Sequence, residues 1–218
     1  MINCYCISGL GADERVFQYL TFIDEVKFTY LPWLSPVSDE TIEDYSVRMG
    51  EKIDQSQPFF LLGLSMGGMI AIEIAKVKKP FKLFLISSIT CAAEIPALYR
   101  FSAKYKLYKM LSPKLMKNLS ILKKWFATYK PEHRNLLINV IRDADDNFVN
   151  WAVPALVQWK NTEQPTNYVH IHGTNDNVLP NSCTHPTHEI NSGRHFMIVE
   201  KAAEISEILA TEMSAVIS

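Results

Sequence analysis

The sequence predicts an α/β protein: a mostly parallel, doubly wound sheet of about six strands with helices on both faces and a helical cap insertion. Two patterns predict it. Short apolar runs alternate with segments of helical periodicity, and one long internal stretch contains no strand pattern. Alternating strands and helices imply parallel pairing through right-handed crossovers. The length of 218 residues fits one domain with an insertion better than two equal domains.

Short apolar runs mark the predicted strands. The run at 59–64 is continuously apolar, as is typical of a strand buried on both faces of a parallel sheet. The first run leads into the glycine turn Gly9-Leu10-Gly11, and the second is limited by Pro32 and Pro36. In chain order, the predicted strands cover residues 3–8, 27–33, 59–64, 82–87, 168–172 and 187–190.

Apolar residues at helical spacing mark the predicted helices. One helix is expected after Asp13 as N-cap, a second over 38–54, a third after Gly68 and a fourth at the C-terminus. The third is apolar almost all round, which predicts deep burial against the sheet. The apolar positions of the other three are Val16, Phe17 and Leu20; Ile42, Tyr45, Met49 and Ile53; and Ile205, Ile208, Leu209 and Met213.

Residues 94–159 form the predicted helical cap insertion, and residues 1–93 and 160–218 the predicted core. Two sets of apolar residues in the insertion follow helical spacing. Four aromatic residues are expected to pack the cap rather than bind a cofactor. The two sets are Leu98, Phe101, Tyr105 and Tyr108, and Leu115, Leu119, Leu122 and Phe126; the aromatic residues are Trp125, Phe126, Trp151 and Trp159.

Charge is distributed unevenly along the chain. Residues 94–134 carry ten Lys or Arg and two acids, although the formal net charge of the protein is -1. Three interpretations stay open: a solvated face, which we favour; steering of an anionic substrate; or weak attachment to an acidic membrane or to a second copy of the chain, a homodimer. Steering predicts that kcat/KM falls as salt is added.

Composition excludes several classes of protein. Hydrophobic residues make up 48%, with 8 Gly and 11 Pro, which excludes a disordered or collagen-like chain. A pI near 6.6 argues against a nucleic-acid-binding protein. The start of the chain has no signal-peptide pattern and no segment long enough to span a membrane, so we expect a cytoplasmic enzyme.

The four cysteines are predicted to be reduced thiols in the core. No C-x-x-C pair is present, so neither a structural zinc site nor a redox centre is indicated. Cys4 and Cys6 alternate on one strand and should face the same side. The other two are Cys91 and Cys183.

Gly63-Leu64-Ser65-Met66-Gly67 is a G-x-S-x-G motif between a buried strand and an apolar helix. A serine at such a sharp turn has strained backbone angles, and small flanking residues let its hydroxyl project above the sheet. Ser65 is therefore the candidate nucleophile. The alternative is a serine N-cap beside packing glycines.

A serine hydroxyl needs a base to attack an ester, and the base needs an orienting carboxylate. Asp176 follows the strand ending at His172, and His195 lies in Gly193-Arg-His-Phe between the last strand and the final helix. The chain order Ser65, Asp176, His195 is the order expected for this triad on a sheet of this kind.

Other histidines and acids were weighed against these. His170 and His172 alternate on a buried strand and are expected to have core or supporting roles, and His133 is expected to be solvated. His185 and His188 flank the last strand and are weaker candidates for the base. Asp143, Asp145 and Asp146 are typical of a helix boundary with a capping residue.

These motifs together resemble the α/β-hydrolase family. The resemblance lies in the serine turn at 63–67, H-G-x-x-D at 172–176 and G-x-H-F at 193–196, and it covers most of the chain. It implies that Ser65 is the nucleophile, His195 the general base and then acid, and Asp176 the orienting carboxylate. It also implies a cap inserted after the strand ending near Ser88, and no metal ion or organic cofactor.

The resemblance also implies an oxyanion hole made by two backbone N–H groups. Met66, the residue after the nucleophile, supplies one. Ser8-Gly9-Leu10-Gly11 is similar to the family's H-G-x-G loop, which makes the Leu10 amide the second candidate. Ser8 replaces the usual histidine of that loop. A plain strand-to-helix turn would give the same pattern.

The principal hypothesis is a serine hydrolase that cleaves a small-molecule carboxylic ester or related acyl compound through an acyl-enzyme. The alternatives are carbon-carbon bond cleavage, lyase chemistry or acyl transfer on the same triad, because a fold does not fix a reaction. A ligand-binding receptor on a hydrolase scaffold is a third hypothesis.

Overall fold

Parallel strands form one sheet in the computed structural model, which describes residues 1–110 and 130–217, without the side chains of 109 and 110. Within those residues the sheet has six strands in the order β2-β1-β3-β4-β5-β6, as the α/β prediction requires. The strands are β1 Ile2–Ile7, β2 Val26–Tyr30, β3 Phe59–Leu64, β4 Lys82–Ile86, β5 Tyr168–Gly173 and β6 His188–Ile190. Each begins and ends within three residues of its predicted bounds.

Strand register brings the carboxyl ends of the central strands to one edge. Ile7 at the end of β1 pairs with Gly63, and Leu64 at the end of β3 pairs with Ile86. Ile86 pairs in turn with Ile171 of β5. The loops that follow β1, β3, β4 and β5 therefore meet at this edge, where open α/β sheets place their reactive groups.

The core lies on both faces of the sheet. Successive side chains of a strand point to opposite faces, and every residue of β3 is buried, so its five apolar side chains supply both cores. One face packs against the C-terminal helix, and the other against the helices at 42–50 and 66–78. This arrangement explains why the β3 sequence is apolar without interruption.

Helices cover both faces and occupy the chain between β4 and β5. They are α1 Ile42–Gly50, α2 Met66–Lys78, α3 Ala97–Lys104, α4 Pro131–Asp143, α5 Asp146–Val157, α6 Met197–Glu200 and α7 Ala202–Ile217. Short 3-10 turns cover Glu14–Phe17, Ala92–Glu94, Leu107–Met110 and Asn181–Cys183. The helix predicted after Asp13 is only such a turn, although Asp13 caps it by accepting from the Arg15 N–H.

The described part of the segment between β4 and β5 contains helices, turns and loops but no strand. Asp145 caps α5 by accepting a hydrogen bond from the Phe148 N–H at 2.7 Å, as the predicted helix boundary requires. Trp151 stacks on Tyr45 of α1 with ring centroids 4.4 Å apart. The buried Trp159 donates from its indole N–H to a Glu73 carboxylate oxygen of α2. These contacts dock α5 on the core.

Part of the apolar pattern predicted for the cap is exposed to solvent. In α3 the apolar stripe is exposed, with Leu98 68% and Phe101 53% accessible. Tyr105, just beyond the helix, is 56% accessible. The second predicted stripe, Leu115, Leu119, Leu122 and Phe126, lies outside the described residues, as does Trp125.

Two smaller predictions were wrong. His133 is buried, not solvated, because it shares the inner face of α4 with Leu137 and Val140 and packs its ring 5.4 Å from that of Tyr19. Cys183 is only partly buried, whereas Cys4, Cys6 and Cys91 are buried free thiols, as predicted. In the described part of the chain, no helix is long and apolar enough to cross a membrane.

Candidate active site

Ser65 lies at the sharp turn between β3 and α2, in an unusual backbone conformation. Its φ is 52° and its ψ is -119°, a region that side chains rarely adopt. Three hydrogen bonds hold this turn: Ser65 N–H donates to the Ile86 carbonyl at 2.9 Å, and the Ser65 carbonyl accepts from Gly68 N–H and the Ser88 hydroxyl. The strained conformation is thus held by β4, by the segment that follows it and by the first turn of α2.

The glycines beside Ser65 are required by close backbone packing. A Cβ on Gly63 would collide with the backbone of Gly67 and Gly68. A Cβ on Gly67 would collide with the carbonyl groups of Ile7 and Ser8 at the end of β1. Without these side chains, the first turn of α2 can approach β1 and bring Ser65 beside the loop that follows that strand.

Ser65, His195 and Asp176 form a continuous chain of hydrogen-bonding groups. The Ser65 Oγ lies 2.9 Å from His195 Nε2, and His195 Nδ1 lies 2.7 Å from Asp176 Oδ2. His195 is 6% exposed and Asp176 4% exposed. The structure therefore brings together three side chains that are up to 130 residues apart.

The Asp176 carboxylate is held in place by its own loop. Its Oδ1 atom accepts hydrogen bonds from the N–H groups of Val178 and Leu179, at 2.8 and 2.9 Å, which leaves Oδ2 for His195. Burial raises the pKa of Asp176, but the charge and hydrogen bond of His195 and the proximity of His172 outweigh it. The pKa is therefore lower than usual, and Asp176 is ionised at neutral pH.

His170 and His172 support this loop from inside the sheet. His172 Nε2 donates to the Leu179 carbonyl at 2.8 Å, and its Nδ1 lies 3.2 Å from His170 Nε2. His170 Nε2 also lies 3.1 Å from the Ser88 carbonyl. Burial and the neighbouring His172 lower the pKa of His170 to about 3, and burial lowers that of His172. Both rings are therefore neutral at pH 7.

The weaker candidates for base and acid lie away from Ser65. His185 is 84% exposed beside Glu94, and His188 contacts Glu212. Asp143 forms an ion pair with Arg15 at 3.0 Å. Among the described residues these groups have other partners, and none of them belongs to the series of hydrogen-bonding groups that begins at Ser65.

The loop after β1 passes beside Ser65. A Cβ on Gly9 would lie 3.4 Å from the Ser65 Cβ, so a side chain there would crowd the hydroxyl. Gly11 has a φ of 69° and faces Ala144 at the start of the α4–α5 junction. In the described chain neither the Leu10 N–H nor the Met66 N–H has a hydrogen-bond acceptor. Both donors are thus available to an oxygen atom near Ser65.

Ser8 holds this loop in place. It occupies the position of the histidine in the similar H-G-x-G loop. Its hydroxyl donates to the Ala12 carbonyl at 2.7 Å and lies 3.1 Å from the Tyr30 hydroxyl, which donates to it. The Trp33 indole N–H donates to the same Ala12 carbonyl at 2.8 Å. The short loop is therefore closed by its own first residue and tied to the segment after β2.

Three residues near the site were not singled out by the sequence analysis. Ser88 holds the Ser65 carbonyl, Trp33 closes the loop after β1, and Tyr99 donates from its hydroxyl to the Val178 carbonyl at 2.9 Å. Ser88 follows a buried strand at the reactive edge, which is a usable signal. Nothing in the local sequence marks Trp33 or Tyr99, because their partners are 21 and 79 residues away.

Comparison with solved structures finds the same architecture in several proteins. MenH from S. aureus matches with a TM-score of 0.74 and 16% identity, covering 100% of this chain and 95% of that one. A thermophilic esterase from Thermogutta terrifontis matches with a TM-score of 0.70, 14% identity and coverages of 99% and 90%. An esterase from Exiguobacterium antarcticum matches with a TM-score of 0.67, 17% identity and coverages of 100% and 92%.

The similarity is structural and covers the whole chain. No family model matches the sequence, and the comparison with curated proteins gives no match. At identities of 12 to 17%, the neighbours establish architecture and not reaction. From the parallel sheet, the serine turn after β3 and these neighbours together, the chain has the α/β-hydrolase fold.

Proposed function

We propose that this protein is a serine hydrolase that cleaves a small-molecule carboxylic ester or related acyl compound through an acyl-enzyme. The observation that carries the proposal is the hydrogen-bonded chain from Ser65 Oγ through His195 to Asp176. A hydroxyl, an imidazole and a buried carboxylate in this order are the groups that nucleophilic acyl transfer needs. Two of the structural neighbours are named esterases.

Acylation begins at Ser65. Its Oγ attacks the substrate carbonyl carbon as the hydroxyl proton moves to His195 Nε2, 2.9 Å away. Asp176 accepts from Nδ1–H, which keeps the Nε2 lone pair directed at the serine and stabilises the imidazolium that forms. The low pKa of Asp176 supports this role because the carboxylate stays negative throughout.

The tetrahedral intermediate carries a negative oxygen that must be stabilised. The Leu10 and Met66 N–H groups are the proposed donors, since Gly9 lies against Ser65 and both amides lack a protein acceptor in the described chain. Met66 is the first residue of α2, so the positive end of the helix adds to its effect. Losing one such donor typically costs about 2.7 to 4 kcal/mol of transition-state stabilisation.

The reaction is completed by His195 acting first as acid and then as base. The carbon–oxygen bond to the alcohol breaks, and the alcohol takes the proton from Nε2. A water molecule then gives a proton to Nε2 as its oxygen attacks the acyl carbon. The bond between the acyl carbon and Ser65 Oγ breaks, Nε2 returns the proton to Oγ, and the carboxylic acid is released. The protein needs only its own side chains for each proton transfer.

Mass spectrometry of the protein quenched during turnover tests this mechanism. With an aryl ester, we expect a peptide containing Ser65 to gain the mass of the acyl group, and the adduct to disappear in water as free acid accumulates. A product in which the acyl group passes to another molecule would instead favour the acyltransferase alternative. Ester turnover with no adduct on Ser65 under any quench condition would contradict the mechanism.

A further inference from the structure

A small cavity adjoins Ser65 on the side of α2 and the segment after β4. Its volume is about 40 Å³, and apart from Ser65 its principal walls are Met66, Met69, Ile89, Ile95, Tyr99 and Leu179. Met66, Met69 and Ile89 are each 1% exposed, so these walls belong to the packed core. Close-packed walls cannot move aside to admit a larger group without loss of packing.

The position of the cavity relative to His195 assigns it to one half of the substrate. In the proposed reaction the leaving alcohol must lie beside His195 Nε2 to receive its proton. His195 is not among the residues that line the cavity, whereas Ser65 and the proposed oxyanion residue Met66 are. The cavity therefore extends from the carbonyl carbon away from the leaving group.

We propose that this cavity is the acyl subsite, that it takes a short, uncharged acyl group, and that Tyr99 limits its length. The inference rests on the proposed function and adds the substrate class. A cavity of about 40 Å³ takes only a few groups of methyl size beyond the carbonyl carbon. Acetyl and propionyl esters are the substrates that fit.

The lining disfavours a charged acyl group. Among the described residues, those around the cavity carry no ionisable acid or base apart from the Tyr99 phenol. Burial raises the pKa of Tyr99, and the negative charge of Asp176 raises it further, so Asp176 acts on this part of the site. An acyl group ending in a carboxylate would lose its hydration without gaining a cation, and Asp176 would repel it.

Tyr99 is the wall contributed by helix α3. Its ring lies over the cavity, and its hydroxyl donates to the Val178 carbonyl at 2.9 Å. Val178 belongs to the loop whose N–H groups hold Asp176. The hydrogen bond therefore joins Tyr99 to the loop that carries Asp176, while the packing of the ring itself forms the wall.

A series of p-nitrophenyl esters from acetyl to octanoyl tests the proposed length limit. For the unmodified protein, kcat/KM should be greatest for acetyl or propionyl and fall at least about tenfold by hexanoyl, since a misfit of one methylene is already worth that factor. In Tyr99→Ala the octanoyl-to-acetyl ratio should rise at least about tenfold. Tyr99→Phe retains the wall and should keep the original ratio.

Phe101→Ala is the matched control for Tyr99→Ala. It removes an aromatic ring from the same helix, but Phe101 is 53% exposed and does not line the cavity, so the ratio should be unchanged. For the charge requirement, monomethyl malonate should be hydrolysed at least about tenfold more slowly than methyl butanoate, which has the same length. An equal rate for the two would overturn the charge requirement.

The inference and the proposed function fail in distinguishable ways. Labelling of Ser65 by a small fluorophosphonate, combined with a wild-type preference for octanoyl, would overturn the short-acyl subsite and leave the hydrolase intact. A Tyr99→Ala ratio equal to that of Phe101→Ala would overturn the role of Tyr99. If Tyr99→Ala does not fold, labelling rates of ethyl against octyl fluorophosphonates on the wild-type protein still test the size limit. Absence of any labelling would remove the proposed function itself.

Discussion

At the scale of single residues, the proposed chemistry depends on the orientation of one imidazole ring. His195 has Ser65 Oγ 2.9 Å from Nε2 and Asp176 Oδ2 2.7 Å from Nδ1, so the carboxylate selects the tautomer that can accept the serine proton. The N–H groups of Val178 and Leu179 fix the carboxylate in turn. Each group in this series is therefore oriented by the group behind it.

Asp176→Asn tests this dependence directly. An asparagine amide at this position donates to Nδ1, so His195 must carry its proton on Nε2 and can no longer accept from Ser65. We expect kcat for an aryl ester to fall about 10⁴-fold, with little change in the melting temperature. Asp24→Asn, the same exchange at an exposed turn, is the control and should leave kcat unchanged. A loss smaller than tenfold in Asp176→Asn would show that the carboxylate does not orient the base.

The candidate triad is predictable from sequence because each member has a local signal. Ser65 lies in a glycine-flanked turn, and Asp176 and His195 each follow a predicted strand. The burial of His133 was also detectable, since His133 is spaced four and seven residues from Leu137 and Val140. Tyr99 and Trp33 were not predictable, because their roles arise from contacts between distant segments.

At the scale of elements, the site depends on how closely α2 approaches β1. The first turn of α2 contacts the carbonyl groups at the end of β1 through Gly67, and this contact sets the distance between Ser65 and the Gly9 loop. Strand positions were predictable because burial on both faces leaves a continuous apolar run, as in β3. The length of the helix expected after Asp13 was not predictable, because a four-residue turn contains the same capping signal.

A pair of glycine substitutions tests the contact between α2 and β1. Gly67→Ala places a Cβ against the Ile7 and Ser8 carbonyls, so the free energy of unfolding should fall by about 3 kcal/mol or more. Gly50→Ala in α1 is the matched control. There the nearest atom, Ile74 Cγ2, lies 3.6 Å away, and alanine should stabilise the protein by about 0.5 kcal/mol. Urea unfolding measures both, and equal effects would contradict the assignment.

At the scale of the whole molecule, the sheet is covered on both faces and contains a pair of buried histidines behind the site. His170 lies within the sheet, fully buried, and contacts both His172 and the Ser88 carbonyl. Ser88 holds Ser65, and His172 holds the Asp176 loop. The neutral histidine pair therefore connects the serine turn with the loop that carries the acid, and the pair must stay neutral for the fold to be stable.

The stability of the protein should consequently decrease in mild acid. In the folded state the pKa of His170 is about 3, against an ordinary value of 6.5, so between these pH values the unfolded chain binds more protons. The unfolding free energy should be greatest above pH 6.5 and fall by about 1.4 kcal/mol per pH unit below it for this one group. His172, whose pKa is also lowered, acts in the same direction.

Urea unfolding between pH 7.5 and pH 5 measures this slope. His170→Gln retains a donor for the Ser88 carbonyl but cannot titrate, so its slope should be visibly smaller than that of the unmodified protein. His185→Gln removes an 84% exposed histidine and should keep the original slope. Identical slopes in all three proteins would show that His170 is not the group responsible.

The basic segment 94–134 affects the charge distribution of the whole molecule. Much of it lies outside the described residues. Its three interpretations therefore stay predictions. The cavity at Ser65 is relevant to substrate steering, because none of its described lining residues carries a charge that could bind an anionic acyl group. An anion steered to the site would have to carry its charge on the alcohol side.

The most direct test of the central claim is covalent labelling by a fluorophosphonate, with the site of attachment read by mass spectrometry. We expect one phosphonyl group per chain, attached to Ser65, and loss of both labelling and ester turnover in a folded Ser65→Ala variant. Attachment at another residue, or ester hydrolysis that persists in Ser65→Ala, would contradict the assignment of Ser65 as nucleophile.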